Sequence, residues 1–294
     1  MQTSSPVPAP AKINLFFEVL GKRDDGFHEI VSVALPVRLF DRLTLEAADD
    51  GKITFQCTGQ SADVPADETN IVVKTLEKLR QRYGVRCGAS VHLQKQIPSQ
   101  AGLGGGSSDA AAAASAAVKA WQLNVTKIEL AALLAEIGSD CPLFLYDTAS
   151  ISTGRGETVQ PLPAAAPLWF VIWKPAQGLS TAAVYKECMP LHDGHFRKPD
   201  ALITALASGN ADAVGRELFN RLEVPARKLW TGFDTAFDDV RRKLTEAGCI
   251  AVQLCGSGAS FFGLCYNQRH AEETASKLSP GGQVFAVCSG GSTR

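Results

Sequence analysis

An α+β fold in two lobes is what this sequence predicts, and three observations carry that prediction. The first ~60 residues read mostly as strand, with apolar and polar positions alternating. Helical segments then follow around a glycine-rich turn, and the second half offers several helices set apart from short strands. Between the halves, Pro161-Leu162-Pro163-Ala164-Ala165-Ala166-Pro167 breaks the composition, which places the domains at 1–160 and 161–294. Helices segregated from short antiparallel strands are the mark of the α+β class.

The elements follow in order. Residues 1–9 read as a short flexible lead. Over 12–20, Ile13, Leu15, Phe17 and Val19 fall on one face and Lys12, Asn14, Phe16 and Glu18 on the other, the pattern of a half-buried strand. That alternation sends Lys12 and Asn14 to the same side. Asp24-Asp25-Gly26 signals a turn, and strands are expected at Ile30–Leu35, Leu43–Ala47 and Lys52–Cys57. Ile71, Val72, Thr75, Leu76 and Leu79 carry helical spacing over 70–83, and Ala89–Gln94 returns to strand.

Next comes Pro98-Ser99-Gln100-Ala101-Gly102-Leu103-Gly104-Gly105-Gly106-Ser107-Ser108-Asp109 and an alanine run to Val118, a strand–loop–helix passage. Ser107 or Ser108 is expected to cap the helix, and alanine is the best helix former. Thr126–Ile137 reads as a helix closed by Gly138. Beyond the proline-rich break, strands are expected at Trp169–Trp173, Ala251–Leu254, Ser260–Cys265 and Val284–Cys288.

Composition narrows the function. The chain has 294 residues, 45% hydrophobic and 20% charged, enough to bury a large core without disulfide or metal. Its formal net charge is −1 and no basic block occurs, which points away from nucleic acid and toward a small-molecule site. No uncharged apolar stretch reaches the ~18 residues of a membrane span, and the N-terminus lacks a signal-peptide pattern, so a cytoplasmic protein is expected. The eight cysteines are scattered, with no CxxC pair and no Cys/His cluster at zinc spacing, and read as reduced thiols without a bound metal.

The glycine loop is the strongest chemical signal. A glycine-rich turn before a helix lets backbone N–H groups close on a phosphate at the positive end of the helix dipole. The segment is not a P-loop, because Gly21-Lys22 and Gly51-Lys52 run into Arg23 and Ile53, and it is not a dinucleotide fingerprint, because Ser107 stands where the last glycine belongs. Asp109 in the first helical turn would repel a polyphosphate, a conflict that a Mg²⁺ between them would remove, and whether Asp109 itself ligates the ion stays open.

Three segments in order resemble the GHMP kinase superfamily: Pro10-Ala11-Lys12-Ile13-Asn14-Leu15, Pro98 through Ser108, and Gly256-Ser257-Gly258-Ala259-Ser260. Asp25-Gly26-Phe27-His28, Gly138-Ser139-Asp140-Cys141-Pro142, Gly154-Arg155-Gly156-Glu157, Ser180-Thr181 with Tyr185, and Asn220-Arg221-Leu222-Glu223 resemble a cytidine-recognising branch of it. The resemblance implies a ribosomal-S5-domain-2-like N-terminal lobe, a GHMP-type C-terminal lobe, and phosphoryl transfer from ATP to a hydroxyl of a cytidine diphosphate-linked polyol. An alternative acceptor is another small alcohol, such as homoserine or mevalonate.

Residue by residue, the resemblance makes Asp140 the catalytic base and Lys12 its charged partner. It assigns Pro98 to Ser108 (Pro98, Ser99, Gln100, Ala101, Gly102, Leu103, Gly104, Gly105, Gly106, Ser107, Ser108) with Asn70 and Lys95 to ATP. Asn14 is implied to touch the polyol, Phe27 and Tyr185 to sandwich the cytosine, and His28 to read its edge. Gly256, Ser257 and Gly258 are implied to close the site from the second lobe. Three departures stand out: Ser99-Gln100 for small residues, Phe27 for a tyrosine, and Cys141 for a valine. Assembly as a monomer or homodimer stays open.

Overall fold

The computed structural model describes residues 5–60, 64–176, 178–188, 195–229, 233–278 and 282–290. The first half carries β1 (Val7–Lys22), β2 (His28–Ala48), β3 (Ile53–Gly59), α1 (Ile71–Tyr83), β4 (Gly88–Lys95), α2 (Gly105–Ala120) and α3 (Lys127–Ile137). A 3₁₀ turn at Cys141–Leu145 leads to β5 (Ser150–Thr153) and β6 (Thr158–Pro161). The second half carries β7 (Trp169–Pro175), α4 (Thr181–Glu187), α5 (Asp200–Ser208), α6 (Ala211–Arg216), β8 (Phe219–Asn220), α7 (Glu223–Leu229), α8 (Phe233–Glu246), β9 (Ala251–Leu254), β10 (Phe261–Cys265), α9 (Gln268–Leu278) and β11 (Gly282–Cys288).

Two sheets organise these elements. The first runs β3-β4-β2-β1-β8, with β5 joined to β2 and β6 to β5. The second runs β11-β7-β10-β9, and every pairing in it is antiparallel. Helices α1, α2 and α3 pack their apolar faces on the first sheet, with Leu43, Leu45, Val91 and Leu93 meeting Leu76, Leu79 and the alanines of α2. A second cluster fills the space between the sheets, where Ile13, Leu15, Val33 and Leu35 meet Phe170, Ile172, Phe262 and Leu264.

The local signals explain the elements. Asn70 caps α1 by accepting from the Val72 amide at 2.8 Å. Thr126 and Glu129 form a capping box that starts α3, and Gly138 closes it. Four expectations change. Strand β1 begins at Val7, so Val7 to Ala9 belong to the sheet rather than to a lead. The segments Ile30–Leu35 and Leu43–Ala47 are parts of one 21-residue strand, β2, which runs straight through Pro36.

Strand β1 is also buried on both faces from Ala9 to Val19. A register shift between Asn14 and Phe16 interrupts its alternation, so Leu15 and Phe16 both face the inter-sheet cluster, while Phe17 and Val19 face the second lobe's core. Its polar face is covered from the second half: Glu18 accepts from Arg221 at 2.7 and 2.8 Å, and Gln253 donates to the Asn14 carbonyl at 2.9 Å. The fourth change concerns α2, which starts at Gly105 with Gly104 as its cap, so neither Ser107 nor Ser108 holds that place.

Candidate active site

A cavity of about 1140 Å³ opens between the glycine loop, β1, the β1–β2 turn and the second-lobe residues around Tyr185 and Gly256. The loop forms its floor. Gly102 and Gly104 both take positive φ, 73° each, where a side chain is strained. A Cβ on Gly102 would also overlap the Cys255 carbonyl oxygen, and one on Gly104 would lie 2.8 Å from the Phe144 ring. Glycine is therefore required for the loop to lie flat against both lobes.

Gly104 offers no side-chain cap, so the first amides of α2 keep their hydrogens free toward the cavity. Unpaired N–H groups at the positive end of a 16-residue helix make an anion site. Of the two serines, Ser107 lines the cavity, while Ser108 is buried with its hydroxyl unpartnered.

Lys12 and Asp140 meet over this floor. The Lys12 ammonium lies 3.9 Å from the Asp140 carboxylate, and the lysine also donates to Asn14 Oδ1 at 2.6 Å and to the Gly102 carbonyl at 2.9 Å. These bonds fix a nearly buried cation on the loop and leave Asp140 half-exposed to the cavity. Such an arrangement can hold a carboxylate ready to accept a proton beside a transferring anionic group.

Lys95 lies under the loop. Its ammonium donates to Asp41 and, at 2.7 Å, to Asp109. Burial drives the Asp109 carboxyl up to about 7, against the pull of Lys95. Burial works the other way on Lys95, but the two carboxylates outweigh it and raise its pKa.

At the far end, Phe27 is 47% exposed and carries the Arg155 guanidinium 4.7 Å from its ring centre. The His28 and Tyr185 rings stand 5.2 Å apart, and Phe17 meets Tyr185 edge-on at 6.3 Å. Burial and then the Lys22 charge lower the His28 pKa, which favours the uncharged imidazole. Burial raises the Tyr185 phenol and pushes the Cys141 thiol up to about 12, so both keep their protons.

The structure brings most of the expected site residues into the lining of one cavity: Lys12, Phe27, His28, Asn70, Lys95, the loop from Pro98 to Ser107, Asp140, Tyr185, Gly256 and Ser257. Asn14, Ser108 and Gly258 lie off it. Asn14 is held behind Lys12, donating to Ser32 Oγ at 2.8 Å, and Gly258 packs toward Leu179 and Leu254.

Sequence reasoning gave no role to Arg155, Lys22, Thr181 or Asn220. Arg155, Lys22 and Thr181 line the cavity, and Thr181 shares a 2.9 Å hydroxyl contact with Ser257. Asn220 donates to the carbonyls of Leu254 and Gly256 at 3.0 and 2.8 Å, which pins the second-lobe loop. The signal for Arg155 was its setting between two glycines, and for Asn220 its place before Arg221.

Known proteins share these features. The GHMP kinases N terminal domain matches residues 70–148, and the GHMP kinases C terminal region matches residues 202–282. The 4-diphosphocytidyl-2-C-methyl-D-erythritol kinase of Shouchella clausii is 38% identical over 258 residues, covering 88% of this chain and 84% of that protein. The enzyme of the same name from Geobacillus thermodenitrificans is 36% identical over 96% of this chain and 95% of its own length. A crystal structure of 4-(cytidine 5'-diphospho)-2C-methyl-D-erythritol kinase superposes with a TM-score of 0.80 at 32% identity, covering 97% of this chain and 99% of that one. The chain belongs to the GHMP kinase family and, within it, groups with the 4-diphosphocytidyl-2-C-methyl-D-erythritol kinases.

Proposed function

We propose that this chain transfers the γ-phosphoryl group of ATP to the 2-hydroxyl of 4-diphosphocytidyl-2-C-methyl-D-erythritol, a step of the non-mevalonate route to isoprenoids. The observation that carries this reading is one continuous cavity with the N-terminus of α2 at one end, aromatic rings and a histidine at the other, and the Lys12–Asp140 pair between them. The nucleotide triphosphate lies on the N-terminus of α2, with Asn70 and Lys95 on its wall. The cytosine stacks on Phe27 and Tyr185, and His28 reads its edge.

Asp140 accepts the proton of the attacking hydroxyl. Lys12, 3.9 Å from that carboxylate, offsets charge on the phosphoryl group as it transfers. Asn14 acts through Lys12, whose ammonium it holds. The donor set fits a magnesium ion: Asp109 Oδ1 is buried with no hydrogen-bond partner, and the Ser107 hydroxyl lines the cavity nearby. Mg²⁺ bound with ATP would be held by Ser107 and phosphate oxygens, with Asp109 in the layer behind, and would neutralise part of the polyphosphate charge. We place the lobe boundary at 160/161, beside the end of β6.

A second reading, a kinase for another small alcohol, draws on the shared fold. Homoserine kinase from Cytophaga hutchinsonii and mevalonate kinase from L. major superpose with TM-scores of 0.76, at 20% and 14% identity, which speaks to fold alone. ADP release measured with Mg-ATP and the three alcohols side by side separates the readings. Turnover confined to the cytidine compound is expected, and preferred turnover of homoserine or mevalonate would overturn the proposal.

A further inference from the structure

A group of side chains on the second lobe has no part in this chemistry. Cys249 lies in the turn between α8 and β9, Cys265 ends β10, and His270 sits in the first turn of α9. One ligand atom from each lies within 4.8 Å of the other two. The sequence hides the group, because the members are spaced 16 and 5 residues apart and meet only when β10 pairs with β9 and α9 folds back over it.

We propose that Cys249, Cys265 and His270 form a binding site for a soft divalent ion of the zinc class, one that ties the α8–β9 turn to the start of α9. Four observations carry the assignment. The two sulfurs stand 3.8 Å apart, far beyond a disulfide bond. Two thiolates at Zn–S distances of ~2.3 Å on a tetrahedral ion would be separated by about the same span.

His270 Nε2 lies 2.7 Å from the Ala247 carbonyl, which can only accept, so this nitrogen carries the proton. The lone pair is then on Nδ1, which the Tyr266 amide reaches at a long 3.4 Å. A ring nitrogen oriented by a backbone carbonyl through its other N–H is the usual state of a ligating histidine. Thr274 supplies the third observation: its buried hydroxyl lies beside the Cys249 sulfur, where it can donate to a thiolate.

The fourth is Gly263, where a Cβ would sit 2.9 Å from Cys249 Sγ, so glycine leaves room for the sulfur to turn inward. Binding replaces the two thiol protons with the metal and releases them to solvent. The resulting centre of one divalent cation, two thiolates and a neutral imidazole carries no net charge, which suits its partly buried setting. Thiolate ligands select zinc-class ions over Mg²⁺, so the magnesium that serves ATP does not compete.

The test is titration of the reduced, chelator-treated full chain with Co²⁺ in the presence of Mg²⁺, followed by displacement with Zn²⁺. One equivalent of Co²⁺ should bind with a thiolate-to-cobalt charge-transfer band, and Zn²⁺ should erase the band and raise Tm. Cys249→Ser and His270→Ala should each weaken binding at least tenfold, while Cys87→Ser, at an exposed thiol, should bind as the parent does. Kinase activity should be unchanged in all three. The absence of a band overturns the site, and so does a band that survives both ligand substitutions or disappears with Cys87. A Cys249–Cys265 disulfide found by mass spectrometry, with no metal taken up after reduction, would also overturn it.

Discussion

Two lysine–aspartate contacts lie on either side of the glycine-rich loop. Above it, Lys12 meets Asp140 at 3.9 Å, and the carboxylate is 48% exposed. Below it, Lys95 meets Asp41 and Asp109, and none of the three side chains is more than 5% exposed. The upper pair is loose and open to a ligand, as the base role proposed for Asp140 requires. The lower one is tight and sealed, with Asp41 also accepting from the Gln96 and Ile97 amides at 2.6 and 2.9 Å, so it anchors the strand that leads into the loop. Similar residue types therefore do different work because of burial: exposure leaves a charge free to react, and desolvation commits it to its partner.

The largest expected effects separate these roles. Asp140→Asn should lower kcat by roughly 10²–10⁴-fold, the range of a general base, while leaving Tm within a degree or two of the parent. Lys95→Met should do the reverse in kind. It leaves the buried Asp41 without its cation, and chemical denaturation should show a loss of roughly 3–5 kcal/mol. A Lys95→Met protein of parental stability that has lost ATP affinity would break the comparison and make Lys95 a nucleotide ligand first.

A smaller effect is expected at the far end of the cavity. Phe27 is 47% exposed with the Arg155 guanidinium over its ring, so removing that ring costs little core packing. Phe27→Ala should raise KM for the cytidine substrate by the worth of one stacked base, roughly 1–3 kcal/mol, with KM for ATP unchanged. Equal rises in both constants would mean that the ring shapes the whole cavity rather than one end of it.

Much of this was legible along the chain, and what was hidden has a physical cause. Lys12 and Asn14 were placed on one side by simple alternation, and their 2.6 Å bond follows from it. Thr126 and Gly138 marked the ends of α3 along the chain, and the capping box that Thr126 makes with Glu129 is the local chemistry behind it. The cap of α2 was misread because serine usually fills that place, whereas here a glycine with positive φ leaves the amides free. Strand β8 is two residues long and exists only because Phe16 and Phe17 of β1, two hundred positions away, pair with it. Asp41 gave no signal, since its partners Lys95 and Asp109 come from β4 and α2. Long-range pairs of this kind carry no periodicity and no motif, and that is also why Cys249, Cys265 and His270 looked scattered.

The subtlest consequence of the sealed pair is a pH dependence of stability. Asp109 has a folded pKa raised from 3.8 to about 7, with burial the largest cause. An unfolded chain would release this proton near pH 4, so between pH 4 and 7 the folded state binds more protons than the unfolded one. Stability contributed by this group is therefore present at low pH and lost as pH rises through the folded value. Lys95 stays protonated in both states over that window, since its own pKa lies higher still, and adds no slope. From pH 6 to 7 the loss amounts to about 1 kcal/mol. Asp109→Asn has no proton to release, so denaturation curves at the two pH values should differ for the parent by this amount more than for the variant. Equal slopes would mean that Lys95 holds Asp109 ionised even at pH 6, and the lower contact would then be a plain ion pair whose charge never changes.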